Sequence, residues 1–129
     1  MRMFVVVALA VSASGGALAE EVPSRMTWSG EMRQIEVNTE TTYPMTLTFA
    51  RTIVTADYPT LNCSGTWTKV AESNGYLIYA EKVTNRQGAT CIDGMAMVAI
   101  DQGKVFVGWF AAYAGEPSVA TAVLLRAAK

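Results

Sequence analysis

The chain is 129 residues long, with ten basic and eleven acidic side chains, two cysteines and no histidine. The lack of histidine excludes Ser-His and Cys-His nucleophilic catalysis, histidine-ligated zinc and imidazole acid/base work. The near balance of charge argues against a sequence-independent nucleic-acid binder, which needs a clustered basic face.

Residues 1–19, MRMFVVVALAVSASGGALA, read as an export signal. Arg2 supplies the positive start, Met3 to Val11 the apolar run, and Ala17-Leu18-Ala19 the small-x-small cleavage site. The apolar run is too short to cross a bilayer as a helix, and no cysteine follows Ala19 to accept a lipid. The style of the signal points to a bacterial protein of the periplasm or the medium, with no membrane insertion after cleavage. Cleavage removes Arg2 and leaves nine basic against eleven acidic residues in 20–129. About 110 residues are enough for one modest core and read as a single β domain.

From Met26 onward the chain consists of short alternating segments divided by turn signals, the pattern of an antiparallel all-β domain. Expected strands are Met26–Val37, Tyr43–Ala50, Thr52–Tyr58, Cys63–Ala71, Tyr76–Thr84, Gly94–Asp101, Lys104–Ala111 and Val119–Arg126. In the second of these, Met45, Leu47 and Phe49 face one way and Thr46 and Thr48 the other, as in a half-buried strand. Ser73-Asn74-Gly75 and Asp101-Gln102-Gly103 supply hairpin turns. Short connections imply a meander, closed as a small barrel or split into a sandwich, with closure removing exposed edges. Met45, Leu47, Phe49, Trp67, Val105, Val107 and Trp109 are the expected core.

The stretch YPTLNCSGTW, residues 58–67, places Pro59 at the end of one strand, Cys63 at a corner, Gly65 where a bend or close approach is allowed, and Trp67 back in the fold. In an exported chain Cys63 and Cys91 are most simply one structural disulfide. They lack the C-x-x-C spacing of a redox pair. Closing a loop of about 29 residues stabilises a fold by roughly 3–4 kcal/mol on the chain-entropy account. The bond pins two loops at one end of the expected barrel.

The acidic side chains Glu31, Glu36, Glu72, Asp93 and Asp101 fall beside turns or on polar strand faces and read as solvated surface. Glu81 differs, because it alternates with Leu77, Tyr79 and Val83. An inward turn of that face buries a carboxylate that needs a partner, for which Arg33 or Arg51 is available. The alternative turns Tyr76, Ile78 and Ala80 inward and leaves Glu81 wet. Met95 and Met97 share a strand face, and with Met32 and Met45 raise a thioether copper(I) site. Methionine is also a common core filler, and no histidine or free thiol completes such a site. No metal and no cofactor are expected. Asn62-Cys63-Ser64 matches the glycosylation acceptor pattern and carries no weight in a bacterial-type chain.

YPTLNCSGTW, the Tyr79-x-Glu81 strand and Cys91-Ile92-Asp93-Gly94 together resemble a family of small exported bacterial domains with a Y-P-x-L-x-C-x-G-x-W segment, an aromatic-x-Glu strand and C-x-D-G. Similar segments occur as extracellular tails of actinobacterial receptor-type kinases. The resemblance covers about residues 43–110 and implies a β domain with one disulfide and no established activity; Val119–Arg126 falls outside it.

The function expected is that of a non-enzymatic binding module for an envelope ligand, glycan or partner protein. A sharper version is an inhibitor or immunity protein of an envelope-degrading enzyme, by analogy of size and architecture. The alternative is a carboxylate-dependent hydrolase using Glu81 and Asp93. A small closed barrel is expected to have its interior filled, which moves binding to the loops of the disulfide end. Asp57–Asn62 and Asn85–Gly94 there are expected to expose Tyr58, Asn62, Arg86, Gln87 and Asp93; the other end, around Asn74 and Gln102, is the fallback.

Overall fold

The computed structural model describes residues 26–127, so the export signal expected at residues 1–19 lies outside the described residues. Its strands are β1 (Met26–Glu36), β2 (Thr39–Ala50), β3 (Ile53–Tyr58), β4 (Cys63–Ser73), β5 (Tyr76–Asn85), β6 (Gly94–Asp101), β7 (Lys104–Tyr113) and β8 (Glu116–Arg126). Each pairs antiparallel with its neighbour in sequence, and β8 returns to β1 to close an eight-stranded barrel. Closure leaves no unpaired edge strand. At the closing seam β1 and β8 lie so near at Gly30 that a Cβ there would stand 2.8 Å from Leu124 Cδ2 and 3.2 Å from Leu124 Cα.

Strict alternation decides which side chains go inside. Met45, Leu47 and Phe49 of β2, Trp67 of β4, and Val105, Val107 and Trp109 of β7 are all buried, as the sequence pattern predicts. The meander gives the barrel two ends. The disulfide end carries Val37-Asn38, the 3-10 turn Pro59–Leu61 with Asn62, the loop 86–93 and Ala114-Gly115. The hairpin end carries Arg51-Thr52, Asn74-Gly75 and Gln102-Gly103. Asn74 and Gly75 hold φ of 52° and 86°, the paired positive values of a tight hairpin turn that matches strand twist, and Gln102-Gly103 and Ala114-Gly115 repeat them.

Several strand boundaries move by one or two residues, and two strands start three or more residues earlier than the sequence reading placed them. The first hairpin turns tightly at Val37-Asn38, so β2 begins at Thr39, because Thr39–Thr42 continue the ladder opposite Arg33–Glu36 with polar side chains. β8 begins at Glu116, since the Ala114-Gly115 turn returns the chain at once and Pro117 sits opposite Ala112. β4 also bulges between Lys69 and Ala71, beyond its buried portion.

Candidate functional site

The inward face of β5 is Leu77, Tyr79, Glu81 and Val83, so Glu81 projects into the barrel and is 4 % exposed. Its partners are neither Arg33 nor Arg51. Arg33 points outward on β1 and pairs with Glu40 at 3.0 Å. Arg51 is exposed in the β2–β3 turn at the opposite end. Three neutral donors hold the carboxylate instead: Tyr58 Oη donates to Oε2 at 2.6 Å, Trp67 Nε1 to Oε2 at 2.9 Å and Trp109 Nε1 to Oε1 at 2.7 Å. Hydrogen bonds to a charged acceptor are among the stronger ones, and they offset part of the cost of burying it.

The local sequence explains why the cage closes. Trp67 lies directly opposite Glu81 in the β4–β5 ladder, and Tyr58 ends the β3 strand beside it. A side chain at Gly65 would overlap Glu81 Oε2, and its Cβ would stand 2.7 Å from Cδ. At Gly94 a Cβ would lie 2.6–2.7 Å from the Trp109 indole. The two glycines therefore make room for the carboxylate and for one of its donors. Tyr58, Gly65, Trp67, Glu81 and Gly94, drawn from β3, β4, β5 and β6, form one constellation.

Burial first, and then the negative charge of Glu81, push the Tyr58 hydroxyl far above its ordinary range, so it stays a donor. Tyr43 is pushed up to about 12 by burial, with the charges of Glu81 and Glu36 adding to it. Tyr43 packs edge-on against Tyr58 with centroids 6.1 Å apart and donates to Gln34 Oε1. Gln34 Nε2 in turn donates to Glu36 Oε2 at 2.6 Å and to Ser118 Oγ at 3.0 Å, and Ser118 donates to Glu36 at 3.2 Å. This network joins β1, β2 and β8 along one wall.

Above the cage the barrel is hollow. A cavity of about 780 Å³ lies at the disulfide end, lined among others by Met32, Glu36, Tyr43, Glu81, Ile92 and Trp109. The expectation of a filled interior is thus corrected. Toward this end the inward positions of β6 and β8 are Gly94, Ala96, Ser118 and Ala120, whereas toward the other end they are Val98, Ile100, Ala122 and Leu124.

The disulfide joins Cys63 to Cys91, with Cα atoms 6.5 Å apart, and fixes the 86–93 loop against the β3–β4 corner. Asn62, with φ of 61°, caps the 3-10 turn, donates from Nδ2 to Gln87 O at 2.8 Å and accepts from Arg86 N at 3.0 Å. Asn85 reinforces the same corner by exchanging hydrogen bonds with the Cys91 backbone.

Of the loop residues expected at the surface, Tyr58 is buried, because the parity of β3 places it with Val54 and Ala56 inside. Asn62, Arg86, Gln87 and Asp93 are exposed. Arg86 reaches Asp57 at 3.6 Å, and Asp93 accepts from Val83 N at 2.8 Å and reaches Lys82 Nζ at 3.6 Å. Asp93 accordingly lies with the outward-facing Lys82, across the β5 wall from Glu81, and the two carboxylates are not brought together. Met95 and Met97 point outward while Met32 and Met45 are core, so the four thioethers do not converge. Among the described residues no group of three or more His, Cys, Asp or Glu side chains could hold a metal ion. The sequence reading missed Tyr43, Gln34 and Ser118; their inward parity on β2, β1 and β8 was the available signal.

An eight-stranded antiparallel meander barrel, pinned by a disulfide and hollow above a caged carboxylate, is the class these features define. Comparison with family models, with curated proteins and with solved structures found no match for the chain.

Proposed function

We propose that the protein is an exported, non-enzymatic binding module that takes a small envelope ligand into the barrel from the disulfide end. The observation that carries this reading is the cavity of about 780 Å³, which is of the size of small-molecule sites and combines apolar walls with a few convergent polar groups. Export rests on the signal-like start of the chain, and the disulfide is compatible with an extracytoplasmic compartment. No helix among the described residues is long and apolar enough to cross a membrane.

The cavity favours a small ligand over the inhibitor or immunity version, which needs a protein partner. Asn62, Arg86 and Asp93, the polar groups expected to meet such a partner, are engaged in hydrogen bonds and ion pairs within the chain. A hydrolase using Glu81 and Asp93 finds no support in their placement on opposite sides of β5.

The test is a fragment screen on the exported protein, followed by the indole N–H signals of Trp67 and Trp109 in NMR. Ligands that shift both signals are expected. A screen whose hits all perturb the outer loops, or that yields no hit, would overturn the cavity as the site.

A further inference from the structure

Resting on the reading of the cavity as a ligand site, we propose that its ligand is a small organic cation, a protonated amine carried on an apolar body. The cavity lining includes the carboxylates of Glu81 and Glu36 and no lysine or arginine. The ion pairs among the described residues all join exposed side chains, so none supplies Glu81 with a counter-ion. The neutral donors around Glu81 bring no positive charge to the site, and a cation entering the cavity supplies the counter-ion that a buried carboxylate calls for.

Hydrogen-bond capacity narrows the class further. Glu81 Oε2 accepts from both Tyr58 and Trp67, whereas Oε1 accepts from Trp109 alone. An ionised carboxylate oxygen has two lone pairs, so Oε1 retains an acceptor place for an N–H donor. A protonated primary or secondary amine fills it; a quaternary ammonium cannot. The aromatic rings of Trp109, Tyr43 and Tyr58 also line the cavity and favour a cation over their faces. Met32, Leu61, Val83 and Ile92 supply apolar wall for the body of the ligand.

The experiment compares three compounds of one shape and different charge: 3,3-dimethylbutylamine, 3,3-dimethylbutan-1-ol and 3,3-dimethylbutanoate. Each is titrated at neutral pH and fixed ionic strength into the exported protein, with the Trp67 and Trp109 indole N–H resonances as the readout. The amine is expected to bind at least about tenfold tighter than the alcohol, and the carboxylate not to bind measurably. Glu81→Gln removes the preference for the amine. Glu36→Gln, at the exposed rim, lowers it by about threefold and covers the case in which the Glu81 variant does not fold. An alcohol that binds as tightly as the amine overturns the cation and leaves the cavity reading standing. If none of the three shifts the indole signals, the cation proposal fails; if the fragment screen is also empty, the cavity reading fails with it.

Discussion

The two ends of the barrel are built from the same alternation of inward and outward residues, yet they differ in what the inward positions hold. Toward the hairpin end these are Trp28, Leu47, Phe49, Val54, Val98, Ile100, Val105 and Leu124, all buried and apolar apart from one indole N–H. Toward the disulfide end they include the polar or small Gln34, Tyr43, Tyr58, Glu81, Gly94 and Ser118 beside the apolar Val83, and the space between them is open. The tryptophans show the contrast directly: Trp67 and Trp109 donate to Glu81, while the Trp28 indole N–H is buried without a hydrogen-bond partner among the described residues. Close packing is thus concentrated at one end, which leaves the other free to be hollow, provided that covalent and polar ties hold it together.

The largest effects should come from removing bulk at the packed end. Phe49→Ala is expected to lower stability by about 3–5 kcal/mol in chemical denaturation and to leave any cavity ligand bound by the folded fraction with unchanged affinity. Trp67→Ala should cost as much, but it also takes a donor from Glu81 and so should alter ligand affinity. Equal effects of the two on binding would erase the distinction between the ends.

Next is the disulfide. Reduction of the protein should lower stability by roughly 3–4 kcal/mol and the melting temperature by several degrees, and the native protein should show no titratable thiol. The loss should be local first: hydrogen exchange in loop 86–93 should rise before that in β7 and β8. A uniform rise would mean that the bond supports both ends alike.

Tyr58→Phe sharpens the comparison within the cage. It removes one of three donors to a buried acceptor without changing its volume much, and should cost about 1–3 kcal/mol. Gly65→Ala should cost about the same through overpacking, because the new methyl displaces the Glu81 carboxylate.

The fold was legible because period-two alternation and short turns are local signals. The alternation of Glu81 with Leu77, Tyr79 and Val83 was legible for the same reason, but which face of that strand turns inward was left open and is fixed by the barrel. Its partners were not: Tyr58, Trp67 and Trp109 come from β3, β4 and β7, and only the ladder register shows that Trp67 faces Glu81. Opposite charge suggested arginine, whereas Arg33 lies on the outward parity of β1. The cavity was hidden because its volume depends on how small residues from several strands meet around the barrel, which no single segment records. Thr39–Thr42 escaped notice as strand because they lack the apolar half of the alternation.

Alkaline titration gives a smaller and sign-specific effect at the same end. Tyr43 is raised to about 12, Tyr58 further, and Tyr79 is raised by its burial first and the charge of Glu72 second. The folded state therefore holds these protons more tightly than the unfolded chain, whose tyrosines titrate near pH 10. Their contribution is complete below about pH 10 and is lost as pH rises through the raised values, at up to about 1.4 kcal/mol per pH unit for each. Reversible unfolding measured from pH 9 to 12 should show this decline, and Tyr43→Phe should flatten it. A flat profile in the parent protein would mean that the phenols are not held away from water.

The smallest effect is expected on the outer surface of the disulfide end. Arg86 and Asp57 form a 3.6 Å ion pair with both side chains about half exposed, and Lys82 and Asp93 form another at the same distance with Lys82 almost wholly exposed. Exposed pairs of this kind contribute about 0–1 kcal/mol and are screened by salt. Arg86→Ala should therefore change stability by less than about 1 kcal/mol. Asp93→Asn retains an acceptor for the Val83 N–H and should do little more. Neither side chain lines the cavity, so the double variant should leave ligand affinity and the Trp67 and Trp109 indole shifts where they are in the parent protein. Loss of binding with the melting temperature and the indole signals intact would move recognition from the hollow interior to the outer loops, and the difference between the two ends would then be one of packing alone.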